Sequence, residues 1–392
     1  MLTRSRKIFE KNWSVLLPLF YFIFCLCYIF FFTGDEYIKD ETFFMMGAKD
    51  FSSLSLSSYF DHLKSYYPPQ APLIHTISGL IYYEGISIKI FRVMNALFSF
   101  FTLFFFFDLL KRNFKRESFK ILLLCSAMIL FNPYFFLISA HYYADGLYLL
   151  LTSICLRFYF LNKESKFYIA ALLAPLSRQF GLFISLGSFF SNLIERKDGW
   201  LKRATYSLLC LSPIIFLFIY WGRFQPSTGF GTKADLVKSD HGSIIISYSV
   251  YYLSALGFYL LPMNLIGIKD FLKDKTFYIG AVIALILFLI FPPIENFYLG
   301  LPLGFYHKAM LKMGFVGTGL MAFFCSFYGG RCALYIRSSS TPLIIKVWIT
   351  LMFGIATFSP VCWDKYILDL ILLNIIGFLY FRIEPSTSRE AL

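Results

Sequence analysis

The sequence predicts an all-α integral membrane protein that crosses a lipid bilayer about 11 to 13 times. Of its 392 residues, 58% are hydrophobic and only 15% are charged, and the mean hydropathy is +0.65. Soluble domains contain about 25% charged residues and have too little interior for this much apolar surface. The apolar residues also fall in long runs, many of them close to the ~20 residues that a spanning helix needs.

Twelve apolar runs are candidate spanning helices. They cover 13–33, 88–110, 119–139, 144–161, 166–177, 179–194, 203–221, 249–268, 276–292, 310–328, 342–358 and 364–381. The first run lacks a small-residue cleavage site, so we expect an uncleaved first helix. The pair 166–177 and 179–194 is short, which is typical of broken or tilted helices that line a cavity.

The distribution of Lys and Arg predicts that both termini are cytoplasmic. If the N-terminus lies inside and every run crosses, the cytoplasmic segments hold 22 Lys and Arg residues and the opposite segments hold 9. This is the positive-inside pattern, so we interpret the net charge of +13 as membrane orientation rather than nucleic-acid binding. Residues 71–84 are too short to span and would invert every later loop, so we expect a helix at the outer interface.

This threading predicts one polytopic membrane domain over 1–392. Residues 34–87 form a long first outer loop that includes the interfacial helix, 222–248 form a second outer loop, and 382–392 form a cytoplasmic tail. The chain is compact and lacks a basic retrieval tail, which favours a bacterial inner membrane over the alternative, the endoplasmic reticulum.

An acidic cluster follows the first span at residues 34–41. It contains Asp35 and Glu36, and the acidic pair is repeated at Asp40 and Glu41. Asp35 comes directly after a helix, and a carboxylate near apolar walls has a raised pKa and can accept a proton from an attacking hydroxyl. The alternatives are a metal ligand or a solvated loop of mixed charge. The repeat leaves open whether Asp35 or Asp40 is the base.

Further polar clusters lie at the ends of later spans. His141, Tyr142, Tyr143 and Asp145 open the fourth span, where Asp145 could bind a polar ligand or simply favour the helix N-terminus. The turn Ser177-Arg178-Gln179 places an arginine between two short helices. Its guanidinium matches phosphate or carboxylate, and the alternative is an ion pair with Asp145 or Asp35.

Asp364 and Lys365 open the last span on the same side, where an aromatic anchor with an exposed ion pair is the alternative. Loop 222–248 could cover a site, and Glu295 and His307 are weaker candidates. The sequence contains no Walker motif, dinucleotide fingerprint or HExxH motif, so we predict no cofactor and no metal. The coincidence of polar clusters at helix ends on one face predicts a functional site there.

The order of these motifs resembles the GT-C glycosyltransferases, the polytopic enzymes that use lipid-phosphate sugars. The motifs are Asp35-Glu36 after the first span, Tyr67-Pro68-Pro69, Phe91-Arg92-Val-Met-Asn95, Phe131-Asn132-Pro133 and Asp145. The chain looks most similar to protein O-mannosyltransferases and to the aminoarabinose transferase of lipid A. Tyr142-Tyr143-Ala-Asp145 with Ser177-Arg178-Gln179 is also similar to the eukaryotic alpha-1,2-glucosyltransferase of lipid-linked oligosaccharide assembly. The likeness covers roughly residues 10–195.

The resemblance implies a GT-C-like fold and an inverting transfer from a polyprenyl-phosphate sugar to an acceptor hydroxyl on the outer face. The acceptor would be a glycan, a lipid or a protein. Asp35 corresponds to the catalytic base, Asp145 would hold an acceptor or donor group, and Arg178 and Lys365 would bind the lipid phosphate. The other residues that the likeness implies for substrate binding are Glu36, Tyr67, His141, Tyr142, Tyr143, Gln179 and Asp364.

The main alternative is a secondary transporter or a flippase for lipid-linked glycans. Such a protein would also have many helices, interrupted segments and buried charge. Against it, the sequence shows no paired halves, and the few acids within spans, Asp108 and Asp369 among them, lie near span ends. A membrane scaffold without chemistry is the second alternative.

Overall fold

The computed structural model describes residues 2–52, 56–64, 71–115, 117–222, 246–293, 303–356 and 367–383. Within these ranges the chain is helical and contains no strand. The all-α prediction is therefore confirmed for the described part of the chain. Predicted features in the remaining ranges, including most of loop 222–248 and the tail beyond residue 383, lie outside the described residues.

Twenty α-helices and one short 3-10 helix follow one another in the described ranges. The helices of the first half are α1 Leu2–Phe31, α2 Lys39–Ser52, α3 Leu56–Lys64, α4 Leu73–Ile81, α5 Ile88–Asn113, α6 Phe119–Leu130, α7 Pro133–Ala140, α8 Asp145–Phe160, α9 Glu164–Ser177, the 3-10 helix Gln179–Gly181, α10 Leu182–Glu195, α11 Trp200–Leu209 and α12 Ser212–Trp221. Those of the second half are α13 Ile246–Tyr259, α14 Leu261–Leu265, α15 Ile268–Phe271, α16 Lys275–Ile290, α17 Phe305–Lys312, α18 Gly314–Arg337, α19 Leu343–Ala356 and α20 Leu368–Ile383.

Four helical segments are long and apolar enough to cross a membrane, or five if one broken pair counts as a single span. They are Phe9–Phe31, Ile88–Asn113, Trp200–Trp221 and Gly314–Arg337, and the broken pair is Phe119–Leu130 with Pro133–Ala140. These segments indicate an integral membrane protein. Several other predicted spans coincide with helices of 14 to 16 residues, such as α8, α9 and α16.

The predicted span 119–139 is interrupted at residues 131–132, so α7 begins anew at Pro133. Proline has no amide proton to donate and disfavours a helical conformation for the preceding residue. The side chain of Asn132 accepts a hydrogen bond from the amide of Tyr134 at 2.9 Å, which satisfies one of the free amides at the new helix start.

The Cα positions group into two compact units. Unit 1 comprises 1–115 and 135–234, and unit 2 comprises 116–134 and 235–392. In unit 1, α5 packs against α1 and α8, α8 packs against α9, and α2 packs against α4. The polar contacts in this packing include Ser139, whose Oγ accepts from the Tyr21 hydroxyl at 3.3 Å and lies 2.9 Å from Ser99 Oγ.

In unit 2, α13 and α16 pack against α18. Glycine and alanine residues allow the backbones of α16 and α18 to approach closely. A Cβ on Gly280 would lie 2.5 Å from the Cβ of Ala333, and a Cβ on Gly329 would lie 2.3 Å from that of Ala284. Small residues at such contacts are typical of helix packing in membranes. There the hydrophobic effect does not drive helices together, and close packing of their backbones stabilises the contact instead.

Large apolar side chains remain exposed on the outer faces of both units. On α1 they include Phe20, Phe24 and Phe31, and on α16 they include Ile279, Val282 and Leu289. Soluble monomers rarely expose contiguous apolar faces of this extent. A lipid environment would cover these faces without cost, in agreement with the membrane assignment.

Candidate functional site

Asp35 lies four residues beyond the end of α1, in the segment that connects α1 to α2. Its carboxylate is exposed rather than enclosed by apolar walls, and its Oδ1 accepts a hydrogen bond from Ser87 Oγ at 2.7 Å. Ser87 is also the N-cap of α5, where its Oγ accepts from the amide of Lys89 at 3.2 Å. The acid is therefore oriented by the start of a long helix while it stays accessible to a substrate.

The backbone on both sides of Asp35 is held by Arg92. Its Nη1 donates to the carbonyl of Gly34 at 2.7 Å, and its Nη2 donates to the carbonyl of Glu36 at 2.8 Å. Arg92 is buried in α5, and the side chain of Glu36 is exposed. The guanidinium therefore fixes the two peptide groups that flank Asp35, and Glu36 contributes its backbone to this contact.

Arg92 also forms a bidentate ion pair with Glu41, which is buried in α2. Arg92 Nε lies 2.9 Å from Glu41 Oε1, and Arg92 Nη2 lies 2.7 Å from Glu41 Oε2. The amides of Ile38 and Tyr142 donate to the same carboxylate at 3.1 and 3.0 Å. His141 Nδ1 lies 3.4 Å from Glu41 Oε1. We call Glu41, Arg92 and His141 the ionic hub.

Burial alone would raise the pKa of Glu41. The hydrogen bonds from Arg92 and from the amides of Tyr142 and Ile38, together with nearby His141, outweigh this effect and lower the pKa of Glu41 to about 2. Glu41 is thus ionised at neutral pH and committed to its partners. Of the repeated acidic pair, Glu41 has a structural position, whereas the side chain of Asp40 lies outside the described residues.

The segment between α7 and α8 is held by Asn95. Its Nδ2 donates to the carbonyls of Ile138, His141 and Tyr143 at 3.2, 2.9 and 2.8 Å. This one amide group thereby satisfies several carbonyls that the end of α7 leaves without helical partners. The predicted residues His141 and Tyr143 are consequently fixed through their backbone to α5.

The rings of Tyr142 and Tyr143 are buried and contact apolar neighbours. The Tyr142 ring lies 5.1 Å from that of Phe91 and 5.5 Å from that of Phe44, and its hydroxyl shares a short hydrogen bond with Ser78 of α4. The Tyr143 ring lies 5.9 Å from that of Phe44. Both tyrosines therefore connect α2 and α4 to this turn.

Asp145 forms a buried ion pair with Arg178, which was one of the alternatives that the sequence left open. Asp145 Oδ1 accepts from Arg178 Nε at 2.9 Å and from Nη2 at 2.6 Å. The carboxylate makes no capping bond to the amides of α8 in the described contacts, because it is directed to this arginine. Asp145 Oδ2 is buried and has no hydrogen-bond partner among the described residues, so it can accept a further donor.

The position of Arg178 depends on a break between α9 and α10. Arg178 has an extended backbone (φ −149°, ψ 135°) and ends α9, and the 3-10 helix follows with Gln179 half-buried at its start. Gly181 returns toward α9 so closely that a Cβ would lie 2.3 Å from the carbonyl carbon of Ala174. The two short helices predicted for 166–194 are therefore observed, with the arginine at the turn between them.

Three predicted site residues lie outside the described residues, namely Tyr67, Asp364 and Lys365. In the sequence, Arg92, Asn95 and Glu41 stand out only as members of motifs, without a predicted role of their own. A charge within an apolar run must have a partner, and this signal could have singled out Arg92. The identity of its partner, 51 residues earlier in the chain, follows only from the tertiary structure.

His75 of α4 is buried beside this region. Its ring stacks on Phe44 at 5.9 Å and on Phe51 at 6.0 Å, and burial lowers its pKa to about 3. The folded protein therefore keeps His75 neutral at pH values where an unfolded chain, with a histidine pKa near 6.5, takes up a proton.

We expect the stability of the protein to fall as the pH decreases from about 6.5 toward 3, because the unfolded state binds the additional proton in this window. His75→Leu should flatten this part of the profile, measured as the Tm of the detergent-solubilised protein at a series of pH values. His62→Leu is the matched control, since His62 lies on α3 in the same loop. A His75→Leu profile as steep as that of wild type would contradict the interpretation.

The residues of unit 1 bring together an exposed acid on a fixed backbone, the ionic hub, and the buried pair of Asp145 and Arg178. In the described part of the chain, no group of three or more His, Cys, Asp or Glu residues could hold a metal ion. The arrangement can accept a proton at Asp35 and a hydrogen bond at Asp145 Oδ2.

The chain matches no protein-family model, no curated protein and no solved structure.

Proposed function

We propose that this protein is a membrane glycosyltransferase that moves a sugar from a polyprenyl-phosphate donor to an acceptor hydroxyl, with inversion at the anomeric carbon. The observation that supports the proposal best is the placement of Asp35. An exposed carboxylate is fixed at both flanking peptide groups by Arg92, whose charge is balanced by Glu41 rather than by Asp35. The acid thus remains available to a substrate although an arginine lies next to it.

In the proposed reaction, Asp35 accepts the proton of the acceptor hydroxyl as its oxygen attacks the anomeric carbon. The bond between that carbon and the phosphate oxygen breaks, and the polyprenyl phosphate leaves with the electron pair. One displacement suffices, so no nucleophilic side chain is required. The acceptor is a hydroxyl of a glycan, a lipid or a protein.

Asp145 and Arg178 form the second part of the proposed site. Asp145 Oδ2 accepts a hydrogen bond from a sugar or acceptor hydroxyl, and Arg178 stabilises the charge of the leaving phosphate. The pair of Asp145 and Arg178 keeps this arginine in a defined place before the substrate binds. Glu36 and Gln179 are proposed to line the same region, whereas Tyr67, Asp364 and Lys365 lie outside the described residues.

We further propose a GT-C-like fold with more membrane crossings than the long helices alone account for, since helices of 14 to 16 residues coincide with predicted spans. The orientation follows the distribution of Lys and Arg, with both termini in the cytoplasm and the site at the outer face of a bacterial inner membrane. The donor enters laterally from the outer leaflet.

The proposal is tested with the full-length protein reconstituted in proteoliposomes together with a membrane extract as the source of acceptors. Radiolabelled polyprenyl-phosphate sugars are supplied, one sugar at a time. We expect protein-dependent movement of label from the lipid to a second product and release of polyprenyl phosphate. If no sugar is transferred but the labelled lipid changes leaflet in a protein-dependent manner, the protein is a flippase and the proposal is wrong.

A further inference from the structure

Unit 2 contains a buried arginine, Arg331, in the last third of α18. Its side chain has no exposed surface, and its Cζ lies 3.5 Å from the centre of the Phe271 ring. The rings of Tyr335 and Phe378 lie 5.3 and 5.4 Å away. Aromatic faces attract the guanidinium through their quadrupole, but they do not accept the in-plane N–H groups as oxygens do.

Arg331 differs from the other buried arginines that the structure describes. Arg92 and Arg178 are each paired with a buried carboxylate, Glu41 and Asp145 respectively. In the described ranges no carboxylate lies within ion-pair distance of Arg331. A guanidinium cannot lose its proton in a protein, so this positive charge is buried without a counter-charge from the described residues.

The groups that lack partners around Arg331 are hydrogen-bond donors. Only its Nη2 is satisfied, by the hydroxyl of Tyr335 at 2.8 Å, whereas its Nε and Nη1 have no partner among the described residues. The same holds for the hydroxyl of Tyr328, one turn earlier on α18. The missing partner must therefore be rich in acceptors and carry negative charge.

We propose that Arg331 is the centre of an anion site that takes a phosphate group. A phosphate supplies several acceptor oxygens and the missing negative charge, which matches the unsatisfied donors of Arg331 and Tyr328. The segment that supplies Phe271 carries the exposed lysines Lys269, Lys273 and Lys275 and the acids Asp270 and Asp274, so its net charge is weakly positive and favours anions. The phosphate belongs either to an anionic phospholipid headgroup at the membrane surface or to a free phosphate ion.

The site is closed in this structure by the short helix α15. This helix has four residues, and Phe271 is its last residue. Phosphate binding at Arg331 requires this one-turn helix to move, so that the ring of Phe271 leaves the guanidinium. The site lies in unit 2 and does not depend on the proposed transferase reaction.

The experiment measures the Tm of the purified, delipidated full-length protein in detergent. The probes are inorganic phosphate, dioctanoyl phosphatidylglycerol, and dioctanoylglycerol, which lacks the phosphate. We expect phosphatidylglycerol to raise the Tm of wild type by several degrees at saturation and dioctanoylglycerol to leave it unchanged. If inorganic phosphate also raises the Tm, a free phosphate ion is sufficient to occupy the site. If only the phospholipid raises the Tm, the phosphate of its headgroup is the ligand.

Arg331→Met tests the role of the guanidinium, and Arg337→Met is its matched control, because Arg337 lies near the end of the same helix and is exposed. We expect the probe-dependent rise in Tm to be lost in Arg331→Met and kept in Arg337→Met. Without any probe, the Tm of Arg331→Met should be no lower than that of wild type, since an uncompensated buried charge has been removed.

Tyr328→Phe is a second variant that keeps the ring and removes one donor. We expect it to weaken the apparent affinity for the effective probe roughly tenfold, as for the loss of one hydrogen bond to a charged group. The proposal is overturned if no probe raises the Tm of wild type, or if Arg331→Met retains the full rise. It is also overturned if Arg331→Met is strongly destabilised without a probe, because Arg331 would then be compensated within the protein itself.

Discussion

Replacing Arg92 with methionine is expected to destabilise the protein by about 3–5 kcal/mol. The variant leaves the carboxylate of Glu41 buried without its bidentate partner, and it also leaves the carbonyls of Gly34 and Glu36 without their donor. The free energy of unfolding is measured by denaturant titration of the protein in mixed micelles.

A matched control is Arg112→Met. Arg112 also forms an ion pair in α5, with Asp108 at 2.8 Å, but its side chain is 54% exposed. Exposed pairs contribute about 0–1 kcal/mol, so this variant should remain close to wild type in stability. A similar loss in both variants would show that the burial of the pair of Arg92 and Glu41 has no special effect, and our interpretation would be wrong.

The double variant Arg92→Met with Glu41→Met separates the effect of Arg92 on the stability of the protein from its effect on the position of Asp35. Replacement of both buried charges by apolar side chains of similar length should recover part of the lost stability, because no uncompensated charge remains although the amides of Ile38 and Tyr142 lose their acceptor. The peptide groups around Asp35 would still lack the donors that hold them. We therefore expect transfer activity to stay low in the double variant although the protein is folded, and a full recovery of activity would contradict the positioning role of Arg92.

Replacing Asp35 with asparagine is expected to lower kcat/KM for sugar transfer by about 10²- to 10⁴-fold, the usual contribution of a general base. The side chain is exposed and accepts a single described hydrogen bond, from Ser87, so the free energy of unfolding should change little. The measurement is the rate of label transfer from the effective polyprenyl-phosphate sugar, together with the Tm of the same preparation.

Two further substitutions give this prediction its controls. Asp61→Asn removes an exposed carboxylate of α3, and it should leave transfer unchanged. Asp40→Asn decides between the two acids that the sequence left open as the base. If Asp35→Asn is fully active and Asp40→Asn is inactive, Asp40 is the general base. If both variants are fully active, neither acid takes part in the proposed reaction.

The class of the fold was predictable from the sequence because it depends on composition and on the lengths of apolar runs. The helices Ile88–Asn113 and Gly314–Arg337 overlap the predicted spans 88–110 and 310–328. The start of α8 at Asp145 and the break at Arg178 were also predictable, since helix ends have local signals. The sequence predicted one span over 119–139, whereas the structure interrupts it at residues 131–132 and begins a further short helix at Pro133.

The residues of the candidate site were predictable from the sequence, but the contacts between them were not. The sequence singled out Asp35, Asp145 and Arg178, and it left the ion pair of the last two as one alternative. It gave no partner for Arg92 and did not separate Glu41 from its acidic neighbours, because these contacts join residues about 50 to 100 positions apart. Such pairings are set by how helices pack and leave no local pattern.

The sequence by itself therefore determined that the chain is helical and suited to a membrane, because apolar runs must be satisfied by lipid and by internal hydrogen bonds. Only the tertiary structure decided which charges are neutralised and which remain available. Packing buries Glu41 against Arg92 and leaves Asp35 exposed, although both acids lie in one short segment. The physical reason is that the cost of burying a charge is met by specific partners, and partners are brought together by packing rather than by position in the chain.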